Sequence, residues 1–165
     1  MLTSVGYVNR RVYEMIGQPF THERLGNSVS TTDADILHPK YVLSVALTVS
    51  SKEGAEENFN RWYDEEHMGL LSKVHGWCGA RRYKLVSTTT RGDFTASAGR
   101  MGTTPVKTPP RYLALHSMSV PIETFQASPE WKAAASTEWR SQVMQDIVEK
   151  DYRIFELMQV FERPQ

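Results

Sequence analysis

Residues 41–71 have the sequence YVLSVALTVSSKEGAEENFNRWYDEEHMGLL, in which a strand pattern is followed directly by a helix pattern. In residues 41–50 the odd positions are large and apolar and the even positions are smaller and mixed, which indicates a strand with two different faces. After a turn, residues 56–71 are predicted to form a helix, because acidic residues lie near its N-terminus and apolar residues recur at helical spacing. This strand–helix pair begins the unit that decides the fold.

The elements that follow complete a β-α-β-β-α-β order. Strands are predicted at residues 77–86, 111–120 and 152–161. The second helix is predicted to start after Ser128, because serine is a common N-cap and the next residue is proline, which is favoured at the first helical position. Apolar residues then recur every four positions as far as Ile147. This order predicts an α+β, ferredoxin-like protomer with a four-stranded antiparallel sheet.

A four-stranded sheet with both helices on one face leaves its other face bare. We expect the same face of a second copy to cover it, so that a homodimer encloses a cavity between two sheets. The formal net charge of zero removes one weak barrier to self-association.

Residues 1–40 lack clear periodicity and are predicted to be an arm or linker ahead of a domain at residues 41–165. Residues 11–16, RVYEMI, are similar to residues 153–158, RIFELM. Residues 1–17 are therefore interpreted as the last strand of a preceding repeat, and coincidence is the alternative.

A long connection is predicted at residues 87–110, which are rich in threonine, glycine and proline. A segment of this length without regular structure is uncommon in a compact domain, so it is expected to be a lid, an arm or disordered.

The composition is that of a soluble globular protein of 165 residues, with 19 basic and 19 acidic side chains. This balance gives no reason to expect a nucleic-acid partner. The single cysteine, Cys78, excludes a disulfide within the chain and makes a cysteine-bound metal improbable. No apolar run is long enough for a membrane span, and no signal peptide is visible. We therefore expect a cytoplasmic protein with no membrane partner.

The segment NFNRWYDEEHMGLL at residues 58–71, followed by KVHGW and ARRYKL, resembles EthD-domain proteins of the dimeric α/β-barrel superfamily. The later segments YLALH, SPEWKAA and STEWR match the same pattern in the same order. The family commonly has proline where this chain has Gly69, which loosens the helix end. Related fungal proteins look like tandem duplications of the domain, which would explain the similarity between residues 11–16 and 153–158.

The resemblance implies a ferredoxin-like protomer and a barrel closed by a second copy. Such barrels work mostly without metals on hydrophobic, often aromatic or polyketide-derived molecules of secondary metabolism. Their reactions include cyclisation, decarboxylation, lactone isomerisation and cofactor-free oxygenation, and some members bind haem.

Acid–base residues are concentrated in the first helix. His67 is four residues after Tyr63 and three after Asp64, so the three side chains are neighbours on a helix. His67 is near the C-terminal end of the predicted helix, where the helix dipole is expected to favour its protonated form. A hydrogen bond with Tyr63 or Asp64 is expected to fix which ring nitrogen of His67 carries the proton. The alternative is a histidine that only packs or caps the helix.

His116 is the second predicted catalytic residue. It shares a strand face with Tyr112 and Met118, while Leu113 and Leu115 face the other way. If the leucines pack under the helices, His116 faces the barrel cavity, and Tyr112 and Met118 are predicted to contact substrate beside it. A structural histidine at the dimer interface is the alternative.

On the second strand, Trp77, Arg81 and Tyr83 share one face by alternation and are predicted to bind substrate. An arginine there would suit a carboxylate or enolate oxygen. The alternative is that one arginine of the Arg81–Arg82 pair is solvated or ion-paired with the first helix. No histidine spacing matches a zinc site, so no metal is predicted.

The leading hypothesis is a cofactor-independent, lyase-like enzyme that decarboxylates or cyclises a hydrophobic aromatic or polyketide-like molecule. The second hypothesis is a non-catalytic small-molecule-binding or assembly module. The third is a haem-dependent enzyme, for which His67, His75 or His116 would be the axial ligand.

Overall fold

A computed structural model describes residues 7–26, 39–92 and 109–159. These residues form one five-stranded sheet, in which all neighbouring strands are antiparallel and the spatial order is β1-β3-β4-β2-β5. The strands are β1 Tyr7–Phe20, β2 Tyr41–Val49, β3 Trp77–Gly92, β4 Tyr112–Met118 and β5 Ile147–Glu156.

One long helix and three short ones pack on a single face of this sheet. Helix α1 joins an α-helical segment Ala55–Trp62, a π-helical turn Tyr63–His67 and a final α-helical turn Met68–Leu71. The short helices are α2 Ile122–Ala127, α3 Pro129–Ala135 and α4 Glu138–Gln145. None of the helices in the described residues is both long enough and apolar enough to cross a membrane.

The predicted element order is confirmed for the unit that runs from β2 to β5. Its four strands lie in the order β3-β4-β2-β5, with the connections of a ferredoxin-like fold. The predicted number of strands was wrong, because β1 adds a fifth strand at the edge beside β3. β1 pairs with β3 from Tyr7 opposite Gly92 to Phe20 opposite Ala80, so β3 continues well beyond its predicted end at Val86.

The two similar segments occupy opposite edges of the sheet. Residues 11–16 lie within β1, and residues 153–156 lie within β5. Residues 1–6 and 27–38 of the predicted arm, and residues 93–108 of the predicted long connection, lie outside the described residues. The preceding repeat stays a prediction.

The second helix of the unit differs most from its prediction. Ser128 does cap a helix, since its Oγ accepts from the backbone N–H of Trp131 at 3.1 Å. A second cap follows at once, where Thr137 Oγ1 accepts from the backbone N–H of Arg140 at 3.2 Å. Each capping side chain replaces a hydrogen bond that a continuous helix would make within its backbone. The residues predicted as one helix are therefore divided among short helices, and Ile147 belongs to β5.

The face of the sheet away from the helices is partly covered within one protomer. Ser44 and Ala46, which lie on this face, are both buried. The sequence predicted this face to be bare.

Candidate functional site in a cavity between the helices and the sheet

A cavity of about 390 Å³ lies between the helices and the sheet of a single protomer. The sequence predicted a cavity between the sheets of two copies, and this cavity lies on the opposite face. Tyr152 and Ile154 of β5 line it and are 54% and 53% exposed, so the cavity reaches the surface along that edge. Most of its lining is apolar or aromatic, and its polar or ionisable residues are Tyr63, His67, His116, Gln126, Arg140 and Tyr152.

The π-helical turn in α1 determines where His67 points. The backbone N–H of Met68 bonds to the carbonyl of Tyr63, five residues earlier, instead of the α-helical four. Residues five apart therefore share a face, and the His67 ring stacks on Trp62 with centroids 4.1 Å apart and planes inclined by 21°. The predicted Tyr63–His67 contact is present as an edge-to-face pair at 5.3 Å.

His67 is uncharged at neutral pH. Its Nδ1 is fully enclosed and has no hydrogen-bond partner among the described residues, although the residue as a whole is only partly buried. Loss of solvent lowers its pKa well below the ordinary value, and the positive charges that His116, Arg140 and Arg82 carry or can carry lower it further. The expectation that the helix dipole favours protonated His67 was wrong, because desolvation dominates.

Tyr63 and Asp64 do not hold the tautomer of His67 in the described structure. Asp64 is exposed and is not part of the cavity lining. Tyr63 lines the cavity, but its ring packs beneath the guanidinium of Arg82, whose carbon is 4.0 Å from the ring centroid. Burial raises the pKa of Tyr63 to about 12, so its phenol stays protonated at neutral pH.

His116 lines the same cavity from β4. Its strand face is the buried one that packs under the helices, so the condition for facing a cavity between two sheets, with Leu113 and Leu115 under the helices, is not met. The indole Nε1–H of Trp77 donates a long hydrogen bond of 3.4 Å to Nδ1 of His116. Because indole can only donate, Nδ1 is the acceptor, and the proton of the neutral ring is assigned to Nε2. Burial lowers the pKa of His116 to about 4.

A β-bulge at Cys78 places Trp77 beside His116. The pairing of β3 with β4 skips one residue, from Trp77 opposite Met118 to Gly79 opposite Ser117. Trp77 is therefore on the helix side, and the prediction that it shares a face with Arg81 and Tyr83 was wrong.

Arg81 and Tyr83 are on the other side of the sheet, in a separate cavity of about 200 Å³ that Leu115 and Ser117 also line. Arg82 is the buried arginine of the pair, where its Nη2 donates to Asn60 Oδ1 at 2.6 Å. Because side chains alternate along β3 after the bulge, Arg81 and Arg82 lie on opposite faces of the sheet.

Tyr112 and Met118 are core residues and do not line the larger cavity. Met118 is fully buried, and the hydroxyl of Tyr112 donates to the carboxylate of Glu56. Together with Trp77, Arg81 and Tyr83, this means that none of the five predicted substrate-binding residues lines the cavity that contains His67 and His116.

Arg140 is a charged residue of the cavity that was not predicted from the sequence, and neither were the uncharged Gln126 and Tyr152. Arg140 stands in the first turn of α4, and its Nη1 donates to the carbonyl of Ala135 at 2.9 Å. A signal was present, because Arg140 is three residues before the buried Val143 and four before Met144, on the inward face of the helix. An arginine on the apolar face of a predicted helix is a candidate for a ligand contact.

No group of three or more metal-ligating side chains occurs within residues 7–26, 39–92 and 109–159. His67 and His116 are the cavity residues that could supply one axial ligand to a haem, whereas His75 is exposed elsewhere. Haem binding stays a prediction.

Comparisons with known proteins leave the family open. No protein-family model matches the chain. No curated protein matches it either. A solved structure described as a crystal structure study of an anthrone oxidase-like protein is similar, with a TM-score of 0.49 and 14% sequence identity. The match covers 89% of this chain and 54% of that one, so the chain spans about half the length of that protein. A similarity at this level carries no statement about function.

Proposed function

We propose that the protein is a cofactor-independent enzyme that uses acid–base chemistry on a hydrophobic small molecule. The observation that carries the proposal is the convergence of His67 and His116, from different elements, on one mainly apolar cavity. Lowered pKa values keep both imidazoles neutral at pH 7, the form in which a histidine nitrogen can accept a proton.

The two histidines have different roles in this proposal. His116 carries its proton on Nε2, since Trp77 occupies Nδ1, so it is the hydrogen-bond donor to a substrate oxygen. His67 is the base in this proposal, because it is neutral and lines the cavity, and because its enclosed Nδ1 leaves Nε2 as the nitrogen that can reach a substrate. In an aldol-type cyclisation His67 would remove the proton beside the carbonyl and His116 would stabilise the enolate oxygen. In a decarboxylation His116 would stabilise the enolate oxygen, and His67 would carry a proton from a substrate hydroxyl to the carbon that carbon dioxide leaves.

The test is turnover of a panel of aryl β-keto acids and hydroxylated aromatic acids at pH 7, followed by mass spectrometry and release of carbon dioxide. We expect His67→Ala and His116→Ala each to lower the rate about 100-fold or more, the usual contribution of a general acid or base. His75→Ala is the matched control, since His75 is exposed and outside the cavity lining. Full turnover in both cavity variants would refute the proposal.

A non-catalytic binding module is the second candidate. It is favoured because no carboxylate of the described residues orients either histidine. Within the same residues His67 Nδ1 has no partner, and the bond from Trp77 to His116 is long at 3.4 Å. In this case ligands of the cavity bind without chemical change, and the histidine variants alter affinity alone. A Soret band after purification with added haem would instead support the third hypothesis.

We also propose membership of the EthD-domain group, an origin from a tandem repeat, and a homodimer. The ordered motifs and the ferredoxin-like order of β2 to β5 support the first. The similar segments at the two opposite edges of the sheet support the second. The exposed Val148, Ile154 and Phe155 of β5 support the third. Light scattering of the purified chain tests the homodimer, and a monomer at micromolar concentration would contradict it.

A further inference from the structure

We propose that the cavity binds a hydrophobic molecule with one negatively charged group, and that Arg140 binds this group. The inference deepens the proposed function, because it names the ligand class of the same cavity. It needs only binding, so it can be tested apart from any reaction.

The first argument is the charge of the lining. Among the described residues that line the cavity, Arg140 is the only one with a side chain that is charged at pH 7. No aspartate or glutamate is among them, and both histidines are neutral. Desolvation raises the pKa of Tyr63 and of Tyr152, so neither phenol ionises to neutralise the arginine. The described lining therefore carries a formal charge of +1 at pH 7, on Arg140.

The second argument is the environment of Arg140 itself. Three arginines of the described chain are occupied by a carboxylate: Arg61 by Glu65 at 3.1 Å, Arg111 by Glu56 at 2.8 Å and Arg153 by Asp151 at 2.7 Å. Arg140 forms no ion pair with a carboxylate of the described residues, and its side chain makes one hydrogen bond, to the carbonyl of Ala135. That bond anchors Nη1 and leaves further N–H groups of the guanidinium fork for a ligand.

The third argument is the match between this arginine and the rest of the cavity. A guanidinium suits a planar carboxylate, which it binds through two parallel hydrogen bonds. The indole rings of Trp62 and Trp131 and the phenyl ring of Phe125 also line the cavity and suit an aromatic body. A volume of about 390 Å³ lies within the range of small-molecule sites.

The test compares two probes of nearly equal shape, 2-naphthoate and the neutral 2-naphthamide, by isothermal titration calorimetry at pH 7. We expect the wild-type chain to bind naphthoate about 25-fold or more tightly than naphthamide, the low end of the effect of a desolvated charge pair. In Arg140→Gln the ratio should fall to near one, and in Arg140→Lys it should be intermediate. Arg10→Gln, at an exposed position of β1, should keep the wild-type ratio.

Three outcomes would overturn the inference: equal binding of the two probes by the wild-type chain, an unchanged ratio in Arg140→Gln, or no binding of either probe at millimolar concentration. Arg140→Lys keeps the test informative if Arg140→Gln does not fold. The two tests separate this inference from the proposed function. A naphthoate preference that depends on Arg140, in a chain that turns over none of the keto and hydroxylated acids, would support this inference and refute the proposed function.

Discussion

The indole of Trp62 and the imidazole of His67 stack at 4.1 Å although they are five residues apart on one helix. In a regular α-helix residues five apart lie on different faces. The π-helical turn Tyr63–His67 brings them together and directs His67 into the cavity. The Nε1–H of Trp62 also donates to Glu66 at 3.1 Å, and Thr137 donates to the same carboxylate at 2.7 Å, which ties the turn to the N-terminus of α4.

The stability of the protein should fall between pH 6.5 and pH 4 because of His116. Its folded pKa of about 4 is below its ordinary value of 6.5, so the unfolded chain binds the proton more readily. The stability associated with neutral His116 is complete above pH 6.5 and is lost as the pH falls towards 4, by about 3 kcal/mol in total. Urea unfolding of His116→Gln should show a flatter pH dependence, whereas His75→Gln should run parallel to wild type. A parallel curve for His116→Gln would contradict the prediction.

Trp77→Phe should release the tautomer of His116 without unfolding the protein. Phenylalanine keeps most of the buried ring but lacks the N–H that donates to Nδ1. Nitrogen-15 spectra of the histidine rings should then change from a pure Nε2–H form to a mixture of tautomers. Trp139→Phe is the control, because the indole of Trp139 donates to Asn58 at 2.9 Å and is not part of the cavity lining. If the Trp77 variant keeps the pure tautomer, Trp77 does not position His116.

Two glycine variants should change stability in opposite directions. Gly76 has φ +85°, and a Cβ added there would overlap the methyl groups of Val120, so Gly76→Ala should cost about 2 kcal/mol or more. Gly69 lies within a helical turn with open space around an added Cβ, so Gly69→Ala should stabilise the protein by about 1 kcal/mol. Thermal unfolding measures both, and a stabilised Gly76→Ala protein would be incompatible with this backbone.

Glu56→Gln should remove an acid-sensitive contribution to stability. Glu56 accepts from Tyr112 and from Lys84 and pairs with Arg111 at 2.8 Å, and these contacts lower its pKa from the ordinary value of 4.5. The stabilisation by ionised Glu56 is complete above pH 4.5. It is lost as the pH falls through the lower pKa that Glu56 has in the folded protein. Because the side chain is 38% exposed, its loss should cost less than about 1 kcal/mol at pH 7. Glu57→Gln, at the exposed neighbouring position, is the control and should leave the loss of stability at acid pH unchanged.

The structure brings three of the nine predicted site residues together, in a cavity on the helix side of the sheet and not between two sheets. Tyr63, His67 and His116 do line one cavity, and Asp64 does not. The predicted face of His116 depended on whether the leucines of β4 pack under the helices, and alternation alone cannot decide this. The helices pack on the face of β4 that carries Tyr112 and Ala114. On this face the ring of Phe59 in α1 contacts the ring of Tyr112, with centroids 5.1 Å apart.

Residues 41–71, with the patterns that follow them, determined the α+β class, the order of strands and helices and the cap at Ser128, because these depend on contacts between residues close in sequence. The tertiary structure decided three things: the π-helical turn before His67, the bulge at Cys78 and the entry of Arg140 into the cavity. The π-helical turn and the bulge each insert one extra residue into a regular element. The side chains that follow the insertion then point to a different face of the element. Such shifts depend on packing between elements that are distant in sequence. The periodicity of residues within one element contains no information about that packing.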